Sequence, residues 1–311
     1  MNSSPPSSPF RRPWFWIVFF VVSASCAALA VRLFPRAFPI VSLDIHMDRA
    51  HAIAAARDLA RVNHWGPTDS VREAASFGSN STEQAFVELE GGGKAAYHAL
   101  LHDDLFSPYE WTVRRFTEGE TNQTTISFKP GGQPYEFSEK LRERAPGAAL
   151  AADAARKIAE HAAAAAPWHI PLARYKPVET SQVTRPGGRI DHTFIYERDT
   201  PRLGEGRLRL RLVVSGDRLT TLEHFVKIPE AFTRRYEEMR SANTAIAAGA
   251  QIAMLLLYIL GGCIGGIILL IRQHAALWRP ALLWAAIIAG LQILAGLNAW
   301  PLEWFGYDTA V

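Results

Sequence analysis

Trp14-Phe15-Trp16-Ile17-Val18-Phe19-Phe20-Val21-Val22 opens an uncharged run of about 18 residues that ends near Val31. A run of that length and polarity is close to the minimum for a helix that crosses a bilayer. Two more follow late in the chain. Residues 245–271 are apolar apart from Gln251, and residues 281–300 carry only Gln292 and Asn298 as strongly polar groups. Backbone polar groups in lipid must be satisfied within the segment, so all three runs are read as helices. About 200 mostly polar residues separate the first from the second.

The organisation that follows is a disordered tail at 1–12, rich in Ser and Pro, and a first transmembrane helix at 13–33. An α+β domain occupies 40–229, a juxtamembrane amphipathic helix 230–244, a second span 245–271 and a third span 280–300. A stub of 301–311 closes the chain. The first run is longer than the apolar stretch of a signal peptide. The cluster Arg32-Leu33-Phe34-Pro35-Arg36 is a poor cleavage environment, so the segment is read as an uncleaved anchor.

Charge on the short loops sets the expected orientation. The loop between the second and third spans carries Arg272 and Arg279 and no acid, whereas the stub carries Glu303 and Asp308 and no base. That loop, and the N-terminus with Arg11 and Arg12, are expected in the cytoplasm. The large domain is then extracytoplasmic, and an Ala/Arg-rich composition suggests a bacterial inner membrane. Both cysteines, Cys26 and Cys263, lie in the spans, so the domain relies on no disulfide. A net charge of +3 is too small to imply nucleic acid as a partner.

Within the domain two helices stand out. Residues 48–64 start at Asp48, end at Gly66-Pro67 and place Ile53, Ala56 and Ala60 on one face. Residues 148–166 repeat Leu150, Ala154, Ile158 and Ala162 every four positions and end at Pro167. Strands are expected at 83–90, 111–116 and 124–128, then at 178–184, 190–197, 207–214 and 219–228. The turns Pro130-Gly131-Gly132 and Pro186-Gly187-Gly188 fall between strands. A helix followed by hairpins thus occurs twice, which suggests an internal duplication into halves 40–145 and 146–229. Each half would be a PepSY-like unit, a helix on an antiparallel sheet.

Chemistry-bearing motifs are few. His98 and His102 lie at i,i+4, a spacing that can hold zinc, but Ala99 stands where a metalloprotease helix carries its catalytic Glu. A solvated helix face is the plainer reading. Arg207, Arg209 and Arg211 alternate with leucines, which puts three guanidinium groups on one sheet face. They are either a patch for an anionic partner or the wet side of a half-buried strand. Gly261, Gly262, Gly265 and Gly266 give small-xxx-small spacings in the second span. They expect a close helix partner: another span, a second copy of this chain, or helices of another protein. No phosphate loop, nucleophile elbow, zinc ladder or dinucleotide fingerprint is present, and no cofactor is implied.

The juxtamembrane stretch Ile228-Pro229-Glu230-Ala231-Phe232-Thr233-Arg234-Arg235-Tyr236-Glu237-Glu238-Met239-Arg240 and the stub Trp304-Phe305-Gly306-Tyr307-Asp308-Thr309-Ala310 carry a resemblance. With the large domain between the first two spans, they resemble the N-terminal half of bacterial CAAX protease and bacteriocin-processing (CPBP) intramembrane endopeptidases. That family's protease core has a Glu-Glu-x-x-x-Arg motif and later His motifs. Here Glu237-Glu238-Met239-Arg240 has the wrong spacing, and only His274 follows it, so no catalytic residue carries over. The resemblance implies a truncated or split product, or a stand-alone accessory, without peptidase activity of its own. On that basis the chain is expected to be a non-catalytic recognition or regulatory region of an intramembrane protease system. The other reading is an envelope sensor whose outer domain binds a ligand.

Overall fold

The computed structural model describes residues 13–37, 43–102, 106–273 and 278–307. The tail at 1–12 and the loop residues 274–277 of the orientation argument lie outside them. The chain divides into two units, Met1–His46 and Met47–Val311. The first is built around α1, Pro13–Ala37, whose aromatic residues pack edge to edge along its start.

The second unit begins with α2, Arg49–Asn63. Asp48 caps it by accepting a hydrogen bond from the His51 N–H at 2.8 Å, and His64 ends it in the left-handed region. Then come β1 (Arg72–Ser79), α3 (Ser81–Leu89), α4 (Gly93–His102), β2 (Tyr109–Phe116), β3 (Gln123–Phe128) and β4 (Pro134–Lys140). A second run follows: α5 (Ala152–Ala164), β5 (Tyr175–Thr184), β6 (Ile190–Leu203), β7 (Gly206–Ser215) and β8 (Arg218–Lys227). All eight strands form one antiparallel sheet in the order β1-β2-β3-β4-β8-β7-β6-β5. Two four-strand meanders therefore meet at their last strands, each preceded by a helix.

The helices share one device. Ala52, Ala56 and Ala60 of α2 are fully buried, and so are Ala155, Ala159 and Ala163 of α5. A stripe of methyl groups lets a helix lie close on a sheet. The sheet supplies the bulk: Val113, Ile126, Phe137, Leu212 and Leu222. Trp65 and Trp168, which follow the two helices, lie 6.0 Å apart and both stack on Phe137. The same offset separates Ala52 from Ala155, Ala56 from Ala159, Ala60 from Ala163 and Trp65 from Trp168. The Pro-Gly-Gly turns are not equivalent, since one joins β3 to β4 and the other β5 to β6.

One strand expectation is corrected. Residues 83–90 are not a strand but most of α3. Asn80 accepts from the Glu83 N–H and caps the helix, and Phe86 and Val87 bury its inner face. The strand in this region is β1, whose Arg-Glu-Ala-Ala-Ser-Phe-Gly-Ser sequence has little strand propensity. It is held by register with β2 along its whole length.

After β8 the chain enters α6, Glu230–Leu256, passes through a π-helical stretch at Leu257–Gly265 and continues as α7, Gly266–Arg272. These 43 residues make one candidate span. At the usual helical rise it is about 65 Å long, roughly twice the hydrocarbon thickness. α8, Trp278–Glu303, leads into a 3-10 turn at Trp304–Gly306. With α1, three helices are long and apolar enough to cross a membrane. The protein is an α+β, multi-pass membrane protein.

Candidate functional site

The centre of interest is where β4 and β8 part. They pair only through Phe137 with Leu222 and Ser138 with Thr221. Beyond that point two side chains replace the missing strand. Glu136 Oε1 accepts from the His224 N–H at 2.8 Å, and Glu83 Oε1 accepts from the Val226 N–H at 3.1 Å. The gap admits α3, α4 and the first turns of α6, which form a second core of Phe86, Val87, Tyr97, Leu100, Leu203, Val226 and Phe232 among others.

This core roots the long helix. Phe232 meets the Phe86 ring edge-on at 5.1 Å and Tyr236 stacks on Phe232 at 5.4 Å. Arg235 forms an ion pair with Glu90. A second attachment lies at β1 and β2. There Tyr307 stacks on Phe116 at 5.3 Å, the Arg72 guanidinium covers Trp304 at 5.0 Å, and Arg114 donates to the Phe305 carbonyl. The start of the second candidate span and the end of the third are thus both bound to the sheet domain.

The parting also half-buries acids. Burial raises Glu83 to about 7, against the bond from Val226 N–H that favours its charge. Burial likewise raises Glu110, and it pushes Glu136 well above the usual carboxylate range, helped by the charge of Glu110. Glu223 faces the same group and pairs with Arg211 at 2.6 Å. Near neutral pH part of this cluster is protonated.

The sign of the stability effect follows from linkage. A carboxyl with a raised folded-state pKa contributes stability that is complete below the unfolded value of 4.5 and lost as pH rises through about 7. For Glu83 this amounts to roughly 3 kcal/mol at most. The melting temperature in detergent is expected to fall between pH 5 and pH 8. Glu83→Gln, which keeps the acceptor for Val226 N–H, should flatten that slope; an unchanged slope would sink the assignment.

On the helix-covered face, a cavity of about 290 Å³ opens beside the same junction, between Tyr135, His224 and the segment after α5. Lys129, Arg174 and Arg198 bring positive charge to it, and among the described residues no acidic one lines it.

No family model, characterised protein or solved structure matches the chain at a significant level.

The residues singled out in the sequence lie elsewhere. The side chains of His98 and His102 lie outside the described residues; their backbone belongs to α4. Among the described residues no group of three His, Cys, Asp or Glu side chains is arranged to hold a metal ion. The arginine row faces a row of glutamates. Arg209 pairs with Glu179 at 2.7 Å and Glu197 at 2.8 Å, Arg211 pairs with Glu223, and Arg207 lies 3.7 Å from Glu197. These are cross-strand pairs that hold the sheet's open face together. A Cβ added at Gly261 or Gly266 would meet nothing within 4 Å, so these glycines of the second span stand open. The half-buried acids and the basic cavity were not legible. Their members are scattered over the chain, and only the junction brings them together.

Proposed function

We propose that this is a membrane-anchored recognition or regulatory protein. Its sheet domain, built of two PepSY-like helix-plus-meander units, reads a ligand outside the cytoplasm and reports it to the membrane through α6. The observation that carries this reading is the rooting of α6. A single helix runs from a buried contact, Phe232 on Phe86, through the whole second span. A rigid helix clamped at one end in a core transmits displacement rather than absorbing it. The contacts of Trp304 and Tyr307 with the sheet give the domain a second hold on the spans.

Arg11, Arg12, Arg272 and Arg279 support a cytoplasmic N-terminus and an inner-membrane location with the domain outside. The open glycines Gly261 and Gly266, in the small-xxx-small run with Gly262 and Gly265, support further transmembrane helices as the receiving partner. The resemblance to CPBP endopeptidases makes an intramembrane protease core one such partner.

The coupling has a direct test. With Cys26 and Cys263 replaced by serine, spin labels at Ser181→Cys on β5 and Met254→Cys on α6 report the distance between domain and span in lipid nanodiscs. One narrow distribution is expected, and a flexible Gly/Ser insertion after Ala242 should broaden it. A broad distribution in the uninterrupted chain would refute rigid transmission.

A further inference from the structure

Three arginines of the sheet domain have their bulk buried: Arg115, Arg189 and Arg198. Burying a guanidinium is costly unless a carboxylate answers it. Arg115 has Glu73 at 3.0 Å, and Arg189 has Asp191 at 2.8 Å. Arg198, only 8% exposed, has no ion-pair partner among the described residues. Its Nε donates to the Thr200 carbonyl at 2.7 Å, and its guanidinium lies 5.8 Å from the centre of the Tyr175 ring. Both contacts orient it, and neither neutralises it.

Arg198 lines the cavity at the β4–β8 junction. The other positive groups there come from separate segments. Lys129 follows β3 and sits over the Tyr135 ring at 5.2 Å, and Arg174 lies in the turn before β5. His169 and His224 add imidazole nitrogens, and the latter ring stacks on Tyr135 at 4.7 Å. The cationic groups are thus brought together by the tertiary fold, as in a site that recognises charge from several sides. Aromatic rings of Tyr135, Trp168 and Tyr175 form the remaining walls. A volume of about 290 Å³ suits a small molecule.

We propose that this cavity binds a small oxyanion, the carboxylate or phosphate group of a low-molecular-weight solute, with Arg198 as its principal counter-charge. Arg174, exposed at the rim, and Lys129 complete the field, and the rings hold whatever apolar part the solute carries. A planar guanidinium fits either group in a two-pronged fashion.

Calorimetry on the full chain in uncharged detergent tests this, with inorganic phosphate and succinate as separate probes and ionic strength held constant with chloride. One saturable site is expected for at least one probe, and the preferred probe distinguishes phosphate from carboxylate chemistry. Arg198→Gln should weaken that site at least tenfold. Arg174→Glu, which changes an exposed residue and leaves the core untouched, should do the same. No saturable heat with either anion, or unchanged affinity in either variant, overturns the proposal. Binding and the spin-label distances are independent readouts, so failure of one leaves the other standing.

Discussion

Replacing Phe232 with alanine is expected to destabilise the sheet domain by about 3–5 kcal/mol, the range for a fully buried aromatic ring cut back to a methyl group. Phe232 is 2% exposed and sits between Phe86 and Tyr236, in the only part of α6 that the core encloses. Phe86 is wholly buried and cannot move to fill the space. For a domain of this size the loss corresponds to a fall in melting temperature of roughly 10 °C. The same substitution should broaden the Ser181-to-Met254 distance distribution, because it frees the root of the helix. Met239→Ala provides the contrast. Met239 lies two turns on and is 48% exposed, so its change should stay within about 0.5 kcal/mol. Equal losses at the two positions would contradict the rooting of α6 at Phe232.

Asp191→Ala is expected to cost about 3–5 kcal/mol for a different reason: it leaves a buried charge without its partner. Asp191 accepts from Arg189 Nε at 2.8 Å and from Arg185 Nε at 2.6 Å. Arg189 also donates to the Ala145 carbonyl at 3.1 Å, so the group ties the approach to α5 to the β5–β6 turn. Burial by itself would raise the Asp191 pKa, but the hydrogen bonds from Arg189 and Arg185 outweigh it and hold it below 3.8. Its stabilisation is therefore present above 3.8 and lost as pH falls through the depressed folded value. The slope is opposite to that of Glu83. Acid unfolding followed by circular dichroism should move to higher pH in Asp191→Ala and stay in place in Glu83→Gln. An acid midpoint that Asp191→Ala leaves unchanged would refute the role given to this pair.

The spans, both alanine-rich helices and most strands could be read from the chain, because each is written in local periodicity and in stop signals such as Gly66-Pro67 and Pro167. The Arg/Leu alternation at 207–212 likewise reads directly as β7. Residues 83–90 misled because a short segment around Phe86 and Leu89 fits either period; the cap from Asn80 and the packing of Phe86 on Phe232 made it a helix. β1 is not legible because its residues, Phe77 apart, do not favour a strand. The buried face of α5 was misplaced by one position. Leu150 and Ile158 are the bulky apolar residues of the repeat, but the sheet accepts the small stripe of Ala155, Ala159 and Ala163 and leaves the larger residues at the flank.

Hydropathy and periodicity alone determined that the chain has three apolar helices around a polar α+β region with a repeated plan. Only the tertiary structure decided that β4 lies beside β8 and parts from it after two residue pairs. That parting lets Phe232 root the long helix and raises the pKa of Glu83, Glu110 and Glu136, and beside it Arg198 faces a cavity with no counter-charge among the described residues. Burial and electrostatic pairing belong to the assembled sheet. Residues that are ordinary surface charges in the sequence acquire these properties only when distant strands enclose them.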